Sequence, residues 1–257
     1  MNFEPDELDE LLTRLRLPGI RDQLDTLLDE ASRQDLNLRE AITFLFKAEV
    51  QRKEQRRITM AMRIAHFPAV RTLETFNYEA QPSVDPKYIR ELATSRWVAN
   101  GDTVFLQGPP GVGKTHLAIA LGREAINQGY SVLFTLATSL LADLTKAHDE
   151  GKLEDKLRFY GKPKLLIIDE LGYLPFAQNA AHLFFQLVSR RYERGAVLVT
   201  SNRAISEWGG VLGDAVVATA VLDRLLHHSH VLTIRGDSYR LRQKRQSGLI
   251  RKQEGTS

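Results

Sequence analysis

Apolar positions recur at helical spacing through the first 67 residues, and then the period changes. Leu8, Leu11, Leu12 and Leu15 form one stripe, Pro18-Gly19 interrupts it, and Leu24, Leu27, Leu28 and Ala31 form a second. Asn37, followed three residues later by Glu40, is a capping-box start from which a long helix is expected to run to Ala65. Its apolar face takes Leu38, Ile42, Leu45 and Phe46 and returns at Ile58, Met62 and Ala65; Pro68 ends it. Few apolar residues are left for a private core, so residues 1–67 are expected to form a small helical domain that leans on a neighbour. After a linker over 68–88, short apolar runs alternate with amphipathic stretches. The runs are 103–107, 131–136, 164–168, 196–200 and 230–234. Strands alternating with helices predict an α/β domain over 89–245, a five-stranded parallel sheet with helices on both faces. Residues 246–257 are left as a basic, flexible tail.

Composition adds exclusions. With 43% hydrophobic and 26% charged residues, the chain is globular rather than disordered. The absence of cysteine removes disulfide scaffolds, zinc ribbons, iron–sulfur sites and cysteine nucleophiles together. No apolar run approaches the roughly 18 residues of a membrane span, and the acidic start lacks the pattern of a signal peptide, so a cytoplasmic protein is expected. The net charge of +3 hides an asymmetry. Residues 1–46 carry 11 acids and 5 arginines, whereas 47–71 and 235–254 each carry 7 basic residues and 2 acids. Two basic segments of this kind suit an anionic polymer, nucleic acid first; a solvated helix face and a basic tail are the alternative.

The first predicted strand feeds into Gly108-Pro109-Pro110-Gly111-Val112-Gly113-Lys114-Thr115, and a helix over 116–127, opened by His116, follows. This is G-x-x-x-x-G-K-T in its strand–loop–helix context. Glycines let successive N–H groups curl around phosphate oxygens, and the helix adds its positive N-terminus. Residues 108–116 are therefore expected to hold a nucleotide, with Lys114 on the β- and γ-phosphates and the Thr115 hydroxyl on Mg²⁺. The third strand ends in Asp169-Glu170, at the same sheet edge as the loop. Asp169 is expected to hold the Mg²⁺ through its water shell and Glu170 to polarise an attacking water. The fourth strand ends in Ser201-Asn202, where Asn202 can bond the γ-phosphate or that water. His227, His228 and His230 do not share one face and no carboxylate accompanies them, so no metal site is expected there.

GPPGVGKTHLA, LLIIDELGYLP, VLVTSN, VLDRLLHHSHVLTI and GDSYRLR, in this order, resemble the IstB family of transposition helper ATPases. That family is similar to the DnaC-type helicase loaders and, more remotely, to the DnaA initiator, all of them AAA+ ATPases. The resemblance spans nearly the whole chain. It implies ATP-dependent homo-oligomerisation on duplex DNA, with ATP at subunit interfaces, and stimulation of a partner transposase of the retroviral-integrase type; hydrolysis of the ATP releases the assembly. It also implies that Arg224 is an arginine finger acting in trans and that Arg240 is a second sensor arginine. The separate lid domain that often carries the latter is not expected here. Initiator and loader relatives carry a DNA-facing helix between the second and third strands. Here 138–148 and 153–160 are expected to form a helical hairpin, with Lys146, Lys152, Lys156 and Arg158 facing DNA or, with five interleaved acids, simply solvated. Arg52, Lys53, Arg56 and Arg57 form a cleaner basic cluster. With no base-reading motif evident, DNA contact is expected to be largely independent of sequence. A DnaC-type helicase loader is the nearest alternative function. A small-molecule kinase and a non-hydrolysing scaffold are the others.

Overall fold

The computed structural model describes residues 5–173, 176 and 179–239. The chain divides into two compact units, residues 1–60 and 61–257. The first holds α1 (Pro5–Arg14), α2 (Pro18–Arg21), α3 (Leu24–Arg33) and most of α4 (Leu38–Ile64). The capping box at the start of α4 is formed in both directions. The Asn37 N–H donates to Glu40 Oε2 at 2.9 Å, and the Glu40 N–H donates to Asn37 Oδ1 at 3.1 Å. Leu12, Ile20, Leu27 and Ala31 are buried, whereas Leu38, Ile42 and Phe46 of the predicted α4 stripe are exposed. The buried residue of α4 is instead Glu49, whose carboxylate accepts the Ile20 N–H at 2.9 Å and lies 3.4 Å from Lys53 Nζ. An amphipathic pattern identifies a face but not whether anything covers it.

The second unit runs α5 (Pro86–Ala93), α6 (Arg96–Asn100), β1 (Thr103–Gln107), α7 (Lys114–Asn127), β2 (Val132–Leu136), α8 (Ala137–Asp149), α9 (Leu153–Gly161) and β3 (Leu165–Leu171). Then come α10 (Ala180–Arg191), β4 (Ala196–Ser201), α11 (Trp208–Leu212), α12 (Ala215–Leu226) and β5 (Ser229–Thr233). The five strands lie in the order β2-β3-β4-β1-β5, every pair parallel. β4 is buried at every residue and β3 at all but Glu170, as the continuous apolar runs of a sheet covered on both faces require. On one face lies α7, apolar nearly all round, which buries Leu117 to Gly122, Ala125 and Ile126. On the other, α8, α10 and α12 pack Leu140, Leu144, Phe184, Leu187 and Val221 into one core with Phe105, Ile168 and Val199. Because every strand runs the same way, the loops after β1, β3 and β4 emerge together at one edge. Among the described residues, no helix is long and apolar enough to cross a membrane.

Candidate active site

The loop after β1 bends back on itself through left-handed backbone at Gly111 (φ 82°) and Gly113 (φ 99°). Its outer side is tightly covered. A Cβ at Gly111 would strike the Ser238 side chain, and one at Gly113 would come within 2.7 Å of the Phe76 ring. Only glycine satisfies both the dihedral and the space. α7 starts at Lys114, so its first-turn N–H groups point into the concave side of the loop, where the helix dipole favours an anion. Lys114 Nζ reaches the loop's own Gly108 and Pro109 carbonyls, each at 2.7 Å.

Three carboxyl-edge residues meet this loop. The Thr115 hydroxyl lies 3.0 Å from both oxygens of Asp169, which is 2% exposed. Glu170 is exposed, with its backbone in the left-handed region at φ 62°. Asn202 is half-buried, and its Oδ1 is buried without a hydrogen-bond partner among the described residues. As an acceptor, this amide oxygen suits a hydrogen-bond donor such as a water rather than a phosphate oxygen. A glycine-built cradle, a hydroxyl and a buried carboxylate in contact match the donor set for a nucleotide's phosphates and a Mg²⁺ ion.

A cavity of about 540 Å³ joins these groups. It is lined by the loop, His116, Glu170, Thr200 and Asn202 on one side and by Arg71, Thr75, Phe76, Asn77 and Gln81 on the other. The second set comes from the segment expected to be a linker, which the sequence reasoning left without a role. It is tied down from several directions. The Phe76 ring stands edge-on to His116 at 5.3 Å, His116 Nε2 lies 2.8 Å from the Thr72 carbonyl, and the Gln81 amide donates to the Asp237 carbonyl at 3.3 Å. An aromatic pair, Phe76 and Tyr78, inside a nominal linker was the available signal, since flexible linkers seldom carry such groups. Burial pulls the His116 pKa down, only partly offset by its bond to Thr72. Thr200 was missed as well: its hydroxyl donates to Asp169 Oδ1 at 2.5 Å.

Arg224 lies elsewhere. Its guanidinium stacks over the Phe185 ring at 4.6 Å and donates to the Ala220 carbonyl at 3.0 Å. It lines a small cavity with Asn100, Asp102 and Thr103, at the amino end of β1, whereas the phosphate-type loop leaves the carboxyl end. The histidine expectation needs one correction. A carboxylate does accompany two of these residues: Glu193, from the turn after α10, places a ligand atom within 4.8 Å of those of His227 and His228. It was invisible in sequence because it is more than thirty residues away. His230 turns from them, toward Tyr88 (3.1 Å) and Asp102 (3.7 Å).

The basic candidates are mostly paired. Lys146 and Lys152 reach Glu150 at 3.9 and 3.4 Å, Lys156 reaches Asp143 at 2.9 Å, and Arg158 reaches Asp155 at 3.1 Å, all within the α8–α9 hairpin. On α4, Arg52 donates to the Pro18 carbonyl and to Asp22, and Arg57 pairs with Glu54. Arg56 is exposed, with no ion pair among the described residues. Arg240 and the tail lie outside the described residues.

A family model described as "IstB-like ATP binding protein" matches residues 10–247. The ATP-binding protein of insertion sequence IS21 from Pseudomonas aeruginosa is 45% identical over 96% of this chain and 93% of its own. That of insertion sequence IS5376 from Geobacillus stearothermophilus is 44% identical over 93% and 96%. Among solved structures, AMPPCP-bound DnaA from Aquifex aeolicus aligns with 73% of this chain and 59% of its own, at a TM-score of 0.54 and 22% identity. DnaI aligns over 64% and 91%, with the same score and identity. At that identity the likeness is one of fold: the P-loop AAA+ architecture.

Proposed function

Given that the chain belongs to the IstB-like ATP-binding protein family, we propose that it is an ATP-hydrolysing, DNA-binding regulator of transposition. It assembles on duplex DNA with ATP at subunit interfaces and stimulates a partner transposase; hydrolysis releases it. The observation that carries the hydrolytic part is the meeting of Thr115 with a buried Asp169 at the rim shared by Glu170 and Asn202.

In this reading the loop N–H groups and the start of α7 bind the ATP phosphates, and Lys114 exchanges its loop carbonyls for phosphate oxygens. Thr115 and Asp169 hold a Mg²⁺ ion, which supplies charge neutralisation at the phosphates when bound. Glu170, exposed to the cavity, accepts a hydrogen bond from the attacking water and orients it; the Asn202 amide fixes the other side of that water or of the γ-phosphate. Arg224 sits at the opposite sheet edge from its own loop, which supports its acting on the ATP of another subunit, where it would stabilise charge developing on the γ-phosphoryl group. DNA is held through phosphates, with Arg56 the member of the α4 cluster that is exposed and has no ion pair among the described residues.

The test is duplex DNA binding by the full chain, followed by anisotropy with ATP, with ADP and with a slowly hydrolysed analogue. ATP and the analogue should support binding on unrelated sequences alike, and E170Q should keep ATP-dependent binding while losing turnover. Binding indifferent to nucleotide would overturn the proposal. Capture of a replicative helicase instead of a transposase would favour the helicase-loader alternative.

A further inference from the structure

Thr200 carries a fully buried hydroxyl to which the reaction above gives no role. Its Oγ1 accepts the Glu170 backbone N–H at 2.9 Å and lies 2.5 Å from Asp169 Oδ1. The direction of these bonds is forced. An amide can only donate, so the single hydroxyl proton goes to the carboxylate. One oxygen atom thus links the backbone of Glu170 to the side chain of Asp169. A second observation shows what that link holds. Pairing between β3 and β4 shifts register between Ile168 and Leu171, and in this bulge Glu170 has φ 62°, a region that residues with side chains seldom enter. The bulge turns the Glu170 side chain out of the buried strand, where its neighbours Asp169 and Leu171 are both buried.

We propose that Thr200 is a positioning residue for ATP hydrolysis: its hydroxyl holds the Asp169–Glu170 bulge in the conformation that presents the Glu170 carboxylate to the cavity. The proposal rests on the water-orienting role assigned to Glu170. Asp169 keeps a second donor, Thr115, from the phosphate-type loop. Losing the Thr200 hydroxyl therefore releases Glu170 while leaving the loop side of the site in place. Its signature is a fall in kcat without a matching loss of nucleotide affinity.

The experiment compares full-length T200V, T200S and E170Q. ATP turnover is measured beside titration with a fluorescent ATP analogue, and exchange of the Glu170 backbone amide is followed by NMR. T200V should lower kcat by about 10–100-fold, the scale of one lost hydrogen bond to a charged group, with Kd within about 3-fold of the parent. T200S, which keeps the hydroxyl, should stay within about 2-fold on both measures. The Glu170 amide should exchange faster in T200V and not in T200S. Parental turnover in T200V, or an equal loss in T200S, overturns the proposal, as does a change confined to Kd. Should T200V not fold, T200S and the smaller T200A carry the same comparison. Parental turnover in E170Q would remove Glu170's role instead, and amide exchange would still decide whether Thr200 holds the bulge.

Discussion

The two edges of the one sheet solve opposite problems. At the carboxyl edge, backbone sits in left-handed regions at Gly111, Gly113 and Glu170, and the Asn202 amide oxygen is buried with no partner among the described residues. At the amino edge, Arg191 is 2% exposed and its guanidinium donates to the carbonyls of Tyr160, Pro163, Lys164 and Ala196 at 2.7–3.3 Å. Burial lowers its pKa to about 10, so it stays charged at neutral pH, held by carbonyl dipoles rather than by an acid. It ties the end of α9 to the starts of β3 and β4. One edge leaves polar groups unsatisfied where a ligand can meet them; the other surrounds a buried charge with four carbonyls, although the Arg191 Nε–H has no partner among the described residues. Five residues of β1, about 16 Å, separate them.

This contrast makes the edges separable by mutation, with one exception. Arg224 belongs to the amino edge by position but, in the proposed assembly, serves the carboxyl edge of a neighbour. R224A should lower hydrolysis in the assembled protein by about 10³–10⁵-fold with nucleotide affinity intact, the range of an arginine supplied in trans. Mixing it with K114A, once native mass measurement shows that they co-assemble, should restore turnover. No recovery at any ratio would return Arg224 to the amino edge as a surface residue stacked on Phe185. K114A by itself should raise the Kd for ATP by at least about 100-fold, since it removes charged hydrogen bonds to phosphate, and lower the melting temperature only slightly through the loss of its two bonds to loop carbonyls. R191M should do the reverse: unfolding free energy falls by roughly 3 kcal/mol, because buried carbonyls lose their donors, while the folded fraction binds ATP normally. Chemical denaturation beside nucleotide titration distinguishes the two, and if R191M shifted Kd in the folded protein the edges would not be independent.

The smallest effect expected is pH-dependent. Burial depresses the His116 pKa, so below about 6.5 the unfolded chain binds a proton that the folded protein resists. Stability from this group is complete above that pH and is lost as pH falls through the window down to the folded value. H116Q should flatten the dependence of melting temperature on pH between 5 and 6.5, and an unchanged slope would show that the histidine is not the group responsible.

Much of the carboxyl edge was legible because its requirements are local. A strand, a glycine-rich turn with Lys-Thr and a helix declare an anion site within a dozen residues, and apolar runs ending in Asp169-Glu170 and Ser201-Asn202 place those groups at strand ends of one parallel sheet. The parallel five-stranded sheet followed from the same alternation. The amino edge was illegible: Arg191 ends an amphipathic helix like any solvated arginine, and its four acceptors come from 5 to 31 residues away. The α4 stripe erred for the opposite reason, since Leu38, Ile42 and Phe46 carry the right period and remain exposed.

By itself, then, the sequence determined the element types, the parallel sheet and the identity of the phosphate-type loop, because hydrophobic period, glycine freedom and capping act over a few neighbouring residues. Tertiary structure decided which face of each helix is covered and that residues 71–81 wall the cavity. It also decided that Arg191 is buried and Arg224 lies away from its own loop, and that Thr200 joins Asp169 to Glu170. Each of these depends on atoms that are distant in the chain and meet only when strands pair in register and helices close over them, and no local pattern encodes such a meeting.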